Sequence, residues 1–153
     1  MKNFLNPNDK AEILERLRNV QPDSQRRWGK MTPHQMLCHL CDSFRVAMGE
    51  KSVKPAENLF TRTLMKWVAL HTPLPWPHGI PTRPEINQQG GGGTPPAGFE
   101  RDRQELEKLI ERYARERRDF EFGAHPYFGR LSDYEWMRFG YLHCDHHLRQ
   151  FGV

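Results

Sequence analysis

The stretch from Trp136 to Gln150 holds three of the chain's eight histidines, His143, His146 and His147. His143 and His147 are four residues apart, so on an α-helix both rings leave one face, within roughly 40° of each other. Such a pair can chelate one metal ion and needs a further imidazole or carboxylate from a facing helix. His39, in the body of a second helical stretch, is the candidate. Packed helices lie about 8–10 Å apart, close enough for imidazoles from both to meet one ion at ~2.0–2.1 Å per bond. Three neutral nitrogens with an open position describe a catalytic or labile site rather than a closed structural one. Zinc, nickel, iron and copper all suit that donor set. The competing reading is that each histidine packs singly, hydrogen-bonded to backbone or water.

The remaining reactive side chains carry less. His146 sits roughly 100° around the helix from His147 and does not reach the same ion. It and His125, in the loop ahead of the last helix, are the only candidates for a catalytic acid or base. His34 lies near a helix start and is expected exposed or orienting the first turn. His71 and His78 border a Pro-rich segment. Asp42 follows His39 by one turn and could hydrogen-bond a ligand ring, although a solvated carboxylate is the plainer expectation. Cys38-His39-Leu40-Cys41 is a C-x₂-C, but a redox pair places its first thiol at a helix N-terminus, and Cys38 lies well inside its helix. No second pair completes a zinc ribbon, so Cys38, Cys41 and Cys144 read as small buried hydrophobes. No nucleophile elbow, phosphate-binding loop or dinucleotide fingerprint is present.

Helices must position these groups. Asn6-Pro7 opens the first, with the apolar stripe Ile13, Leu14, Leu17 and Val20 before Pro22. The connection from Gln21 to Lys30 carries Trp28, expected to fold back onto the helices. Thr32, Pro33 and Gln35 form a capping box that launches the second helix, and Gly49 is a stop signal. Asn58 to Leu70 reads as a third helix whose apolar members are Leu59, Leu64, Trp67, Val68 and Ala69. Residues 71–98 hold seven prolines and the run Gly90-Gly91-Gly92-Gly93, which preclude regular helix or sheet. Trp76 and Ile80 suggest that its first half packs as an extended strap, while the tetraglycine half is expected to be flexible and could form a lid. Phe99 to Arg118 predicts a fourth helix. Ser132 and Glu135 make a second capping box ahead of the last. Nothing reads as a strand. The expected architecture is one all-α domain over residues 1–153, a helical bundle with a long Pro/Gly-rich crossover at 71–98.

Composition narrows the partners. The 153 residues are 37% hydrophobic and 27% charged, enough for one core, and no apolar run approaches the ~20 residues of a membrane span. The N-terminal stretch has no signal-like apolar segment, and three cysteines suit a reducing compartment, so a cytoplasmic setting is expected. The net charge of +4 invites a nucleic-acid partner. However, Glu100 to Asp119 alternates seven basic with seven acidic residues, a solvated helix face rather than a phosphate-binding stripe. Nucleic acid is not expected.

The segment Trp28-Gly29-Lys30-Met31-Thr32-Pro33-His34-Gln35-Met36-Leu37-Cys38-His39-Leu40 resembles the first signature of the DinB-like (damage-inducible) superfamily of metal-binding four-helix bundles. His125-Pro126-Tyr127-Phe128-Gly129 and Tyr141 to Val153 resemble the closing signature of an uncharacterised branch of it. The stretches Trp67 to Pro77 and Gly92-Gly93-Thr94-Pro95-Pro96 are also similar, so the likeness spans nearly the whole chain. It implies a divalent metal, zinc or nickel foremost, on His39, His143 and His147, in a bundle that often dimerises. Better-characterised relatives are metal-dependent enzymes using a low-molecular-weight thiol such as mycothiol or bacillithiol. The expected function is therefore a metal-dependent thiol S-transferase or hydrolase acting on a small electrophile. The rival is a non-catalytic metal- or ligand-binding stress module, and a weaker third is a nucleic-acid-associated damage-response protein.

Overall fold

A computed structural model describes residues 1–153. The chain is all-helical, with five α-helices and no strand: α1 Pro7–Arg18, α2 Pro33–Ala47, α3 Lys66–His71, α4 Phe99–Tyr113 and α5 Asp133–Gln150. A π-helical turn, Thr61–Met65, runs directly into α3, and a single 3₁₀ turn, Pro84–Ile86, interrupts the long crossover. The only sheet-like pairing is a lone bridge between His125 and Gly129. No helix is long and apolar enough to cross a membrane.

Local signals set the helix starts. Asn6 accepts from the Asn8 N–H ahead of Pro7. Both capping boxes form as expected: Thr32 and Gln35 exchange hydrogen bonds at the start of α2, and Ser132 and Glu135 do so at α5. Each satisfies two N–H groups that a helix start leaves without partners. Helix α2 packs on α4 and α5, and α1 packs on α5 and α4. Ile13, Leu17, Met36, Leu37, Leu40, Leu106, Ile110, Trp136, Met137 and Leu148 are buried in the shared core.

Two helices differ from expectation. Helix α4 ends at Tyr113, well short of Arg118. The Tyr113 hydroxyl donates to the Trp136 carbonyl inside the core. The chain then turns so that Phe122 can stack on Trp136, 5.3 Å between ring centroids. The helical run at 59–71 exists, but Leu59, Leu64, Trp67 and Val68 face solvent and only Leu70 and Thr61 are buried.

The crossover is also not a loose tether. Trp76 packs on Phe139 and donates its indole N–H to the Ala69 carbonyl at 2.9 Å, as a strap would, whereas Ile80 stays exposed. In the glycine-rich half, Asn87 closes a tight turn by accepting from the Gly92 and Gly93 N–H groups. Ile86 is buried beside it.

Candidate metal centre

Helices α2 and α5 bring His39, His143 and His147 together, and their ligating atoms all lie within 4.8 Å of one another. The Nε2 atom of His143 is 3.2 Å from Nε2 of His39 and 3.2 Å from Nε2 of His147. Two nitrogens bound to one ion at ~2.0–2.1 Å with a tetrahedral angle stand roughly 3.3 Å apart. The spacing therefore fits a shared cation.

Second contacts fix which nitrogen faces inward. His39 Nδ1 lies 3.3 Å from the Ile86 carbonyl. A carbonyl only accepts, so Nδ1 carries the hydrogen and Nε2 presents its lone pair. His147 Nδ1 lies 3.0 Å from Gln150 Oε1, and the Gln150 amide N–H in turn donates to the Trp28 carbonyl at 2.8 Å. That second bond sets the amide's orientation and with it the His147 tautomer. Gly29 makes room for this contact: it sits at φ +76°, and a Cβ there would fall 2.3 Å from the Gln150 amide nitrogen. Two inward lone pairs thus face His143, whose Nε2 has one hydrogen at most. A cation would satisfy all three nitrogens at once, and the donor set fits a divalent metal.

Burial supports the same charge state. His39 and His147 are buried. Burial lowers the His39 pKa, only partly opposed by the Ile86 carbonyl and the Asp42 charge. Burial and then the neighbouring imidazoles hold His143 and His147 well below the ordinary histidine value. All three are neutral at physiological pH, the form that binds metal.

Aromatic rings frame the half-buried His143. Phe139 lies 5.3 Å and Trp76 6.0 Å from its ring. His78 stacks on Trp28 at 4.0 Å, and His146 meets both edge-on. His146 is thus outside the ligand set, as its angle on the helix requires. Burial, followed by the nearby His78, pushes its pKa down to about 4.

Two expectations need correction, those for Asp42 and His34. His125 is buried in the loop ahead of α5. Its Nδ1 accepts from the Tyr127 and Phe128 N–H groups, and its ring is stacked on Phe128 with Phe139 between it and His143. Asp42 is not solvated: it is fully buried and holds Thr94 and Lys51. His34 is neither free nor merely near a helix start. Its Nε2 lies 2.7 Å from Asp102 Oδ2, which also accepts from the Ala97 and Gly98 N–H groups. Cys38 joins this cluster geometrically, but burial and the Asp102 charge push its thiol up to about 12. The Asp102 oxygen is already occupied by donors, so the group ties the start of α4 to α2. Neither Cys41 nor Cys144 departs from a buried, protonated thiol.

A family model described as "Protein of unknown function (DUF1569)" matches residues 2–152. The chain belongs to that family. No curated protein matches it, and no solved structure does. Within this DUF1569 chain, Gln150 and the Ile86 carbonyl are the site groups that sequence reasoning missed. Gln150 had an available signal, since it follows His147 by three residues and so lies beside it on the helix. The Ile86 contact had none.

Proposed function

We propose that the chain is a metal-dependent enzyme of DinB-like type, built on a four-helix bundle of α1, α2, α4 and α5, that acts on a small electrophile as a thiol S-transferase or hydrolase. The observation that carries this reading is the convergence of three neutral imidazoles, two buried and one half-buried, with no fourth His, Cys or carboxylate in the group. Closed structural sites fill four positions, and catalytic ones leave one for a substrate. Zinc or nickel is the favoured ion. A divalent ion held there supplies a Lewis acid, which favours the ionised form of a thiol or of water near neutral pH. The chain's own residues then bind and exclude water: Trp76 and Phe139 offer flat apolar faces beside His143, and Trp28 one beside His146. In the transferase form the thiol loses its proton to solvent, its sulfur bonds the electrophilic carbon, and the leaving group departs with its electron pair. The rival reading as a metal-storage or sensing module needs the same histidines and no turnover.

The test compares chelator-stripped protein with protein reloaded with zinc or nickel. Each is given a low-molecular-weight thiol with a chlorodinitrobenzene and, separately, an activated ester. Thiol consumption or ester cleavage that requires metal and disappears in His143→Ala supports the enzyme. A folded, metal-loaded protein that turns over neither substrate leaves the binding-module reading in its place.

We also propose that the protein is a homodimer through the helical run around α3. Phe60, Leu64 and Trp67 stand at i, i+4, i+7 spacing, flanked by Leu59 and Val68, with exposures from 37% for Val68 to 80% for Leu59. These side chains offer on the order of 500 Å² of apolar surface, as large as monomers usually carry in one patch. Two-fold pairing would bury about 1,000 Å², the threshold for a specific interface. Light scattering is expected to give twice the 18.1 kDa chain mass, and Trp67→Asp the single mass with an unchanged helical spectrum. A wild-type monomer at micromolar concentration would overturn this.

A further inference from the structure

The glycine-rich crossover runs along the face of α2 that carries His39. Gln35, His39 and Asp42 are spaced i, i+4, i+7 and share that face. Each meets the crossover. Gln35 Oε1 accepts from the Gln89 amide at 2.7 Å, His39 Nδ1 donates to the Ile86 carbonyl at 3.3 Å, and Asp42 takes Thr94. The last contact is the firmest. Asp42 is 0% exposed; its two oxygens accept from the Thr94 N–H at 2.7 Å and the Thr94 hydroxyl at 2.6 Å, with Lys51 Nζ at 2.9 Å. A buried carboxylate is held in place only by such a full set of donors. Between Ile86 and Thr94 the chain is short and internally bonded, since Asn87 gathers Gly92 and Gly93 and the Gln88 amide donates to the Thr94 carbonyl. Gly92 is indispensable to that turn. A Cβ there would fall 1.9 Å from the Pro84 carbonyl oxygen, a backbone atom that no rotamer change can move aside.

We infer that Asp42 is a positioning residue for the metal centre: through Thr94 it fixes the 84–94 strap, so that the Ile86 carbonyl orients His39 with Nε2 toward His143 and His147. This rests on the metal reading of the three-histidine group. The tetraglycine run then has a use other than flexibility, because it lets a tight strap lie flat against α2 with a carbonyl aimed at a ligand ring. Outer partners of a metal-bound histidine set its tautomer and ring angle, and losing one weakens metal binding by about tenfold to a hundredfold.

Cobalt(II) is the probe, with affinity measured by chelator competition and coordination by the visible absorption of the bound ion. Asp42→Ala and Thr94→Val are expected to weaken cobalt binding about tenfold to a hundredfold and to alter the visible band. Gly92→Ala is expected to do the same by displacing Pro84 at the other end of the strap. Asp42→Asn should recover most of the affinity, because its amide oxygen can accept the Thr94 N–H while its NH₂ donates to the hydroxyl oxygen. If Asp42→Ala fails to fold, Thr94→Val and Gly92→Ala decide the matter. Wild-type affinity and an unchanged band in these folded variants overturn the inference, even where their melting temperatures fall. A wild-type protein that binds no cobalt overturns the metal reading and this inference with it, whereas loss in His147→Ala alone overturns only the role of Asp42.

Discussion

Replacing His147 with alanine is expected to abolish stabilisation by metal and to weaken zinc binding about a hundredfold or more. Structural zinc sites bind with roughly 10–16 kcal/mol spread over four ligands, so one imidazole carries on the order of 3 kcal/mol. His147 is the clearest choice of the three. It is buried, its Nδ1 is committed to Gln150, and its Nε2 faces His143 at 3.2 Å. In the wild-type protein a hundredfold excess of ion over Kd should add about 2.7 kcal/mol, seen as a rise of roughly 5–10 °C in melting temperature for a chain of this size. The alanine variant should keep the metal-free melting temperature with or without zinc. It also relieves the apposition of inward-facing lone pairs, so its apo form should fold. Calorimetric scans and elemental analysis of untagged protein check both statements. No metal in the wild-type protein, together with no shift on adding zinc or nickel, would sink the site.

The site was legible in the sequence where short-range geometry decides it. Helical spacing alone pairs His143 with His147, and the Thr32 and Ser132 capping boxes fix the phases of α2 and α5. Given two helices in phase, His39 is the histidine left to face them. What pattern could not reach depends on chain far away. Asp42 reads as a surface carboxylate because its partner, Thr94, lies 52 residues downstream. The apolar residues of the 59–71 run look like core members, yet most face solvent, because an apolar pattern does not say whether its face packs on the rest of the chain. Helix α4 stops early because Tyr113 and Phe122 are claimed by Trp136 of α5, while its alternating charges would favour helix for another turn. The turn that His125 closes with Gly129 is likewise a pairing visible only in three dimensions.

That turn leads to the second large effect, a steep loss of stability in acid. Burial pushes His125 down to about 3 and His146 to about 4, and it lowers His39, His143 and His147 as well. An unfolded chain would protonate each of these near ~6.5. Below that value the unfolded state binds more protons than the folded state, so stability falls with falling pH. For His125 the contribution is complete above ~6.5 and is lost progressively as pH drops toward about 3. Each such group adds up to about 1.4 kcal/mol per pH unit. Several acting together would consume the ~5–15 kcal/mol of a typical domain within a few pH units. His125 supplies the decisive control. Its Nδ1 must stay unprotonated to accept from Tyr127 at 3.2 Å and Phe128 at 3.1 Å, and a charge there would be buried away from water. His125→Asn keeps an acceptor in the turn but cannot titrate. Denaturant unfolding of metal-free protein from pH 7 to pH 4.5 should show stability declining steadily below about 6.5, and the variant, though less stable at pH 7, should lose about one proton's worth of that slope. A flat profile over this range, or the same slope in both proteins, would mean that His125 is not held neutral by its turn.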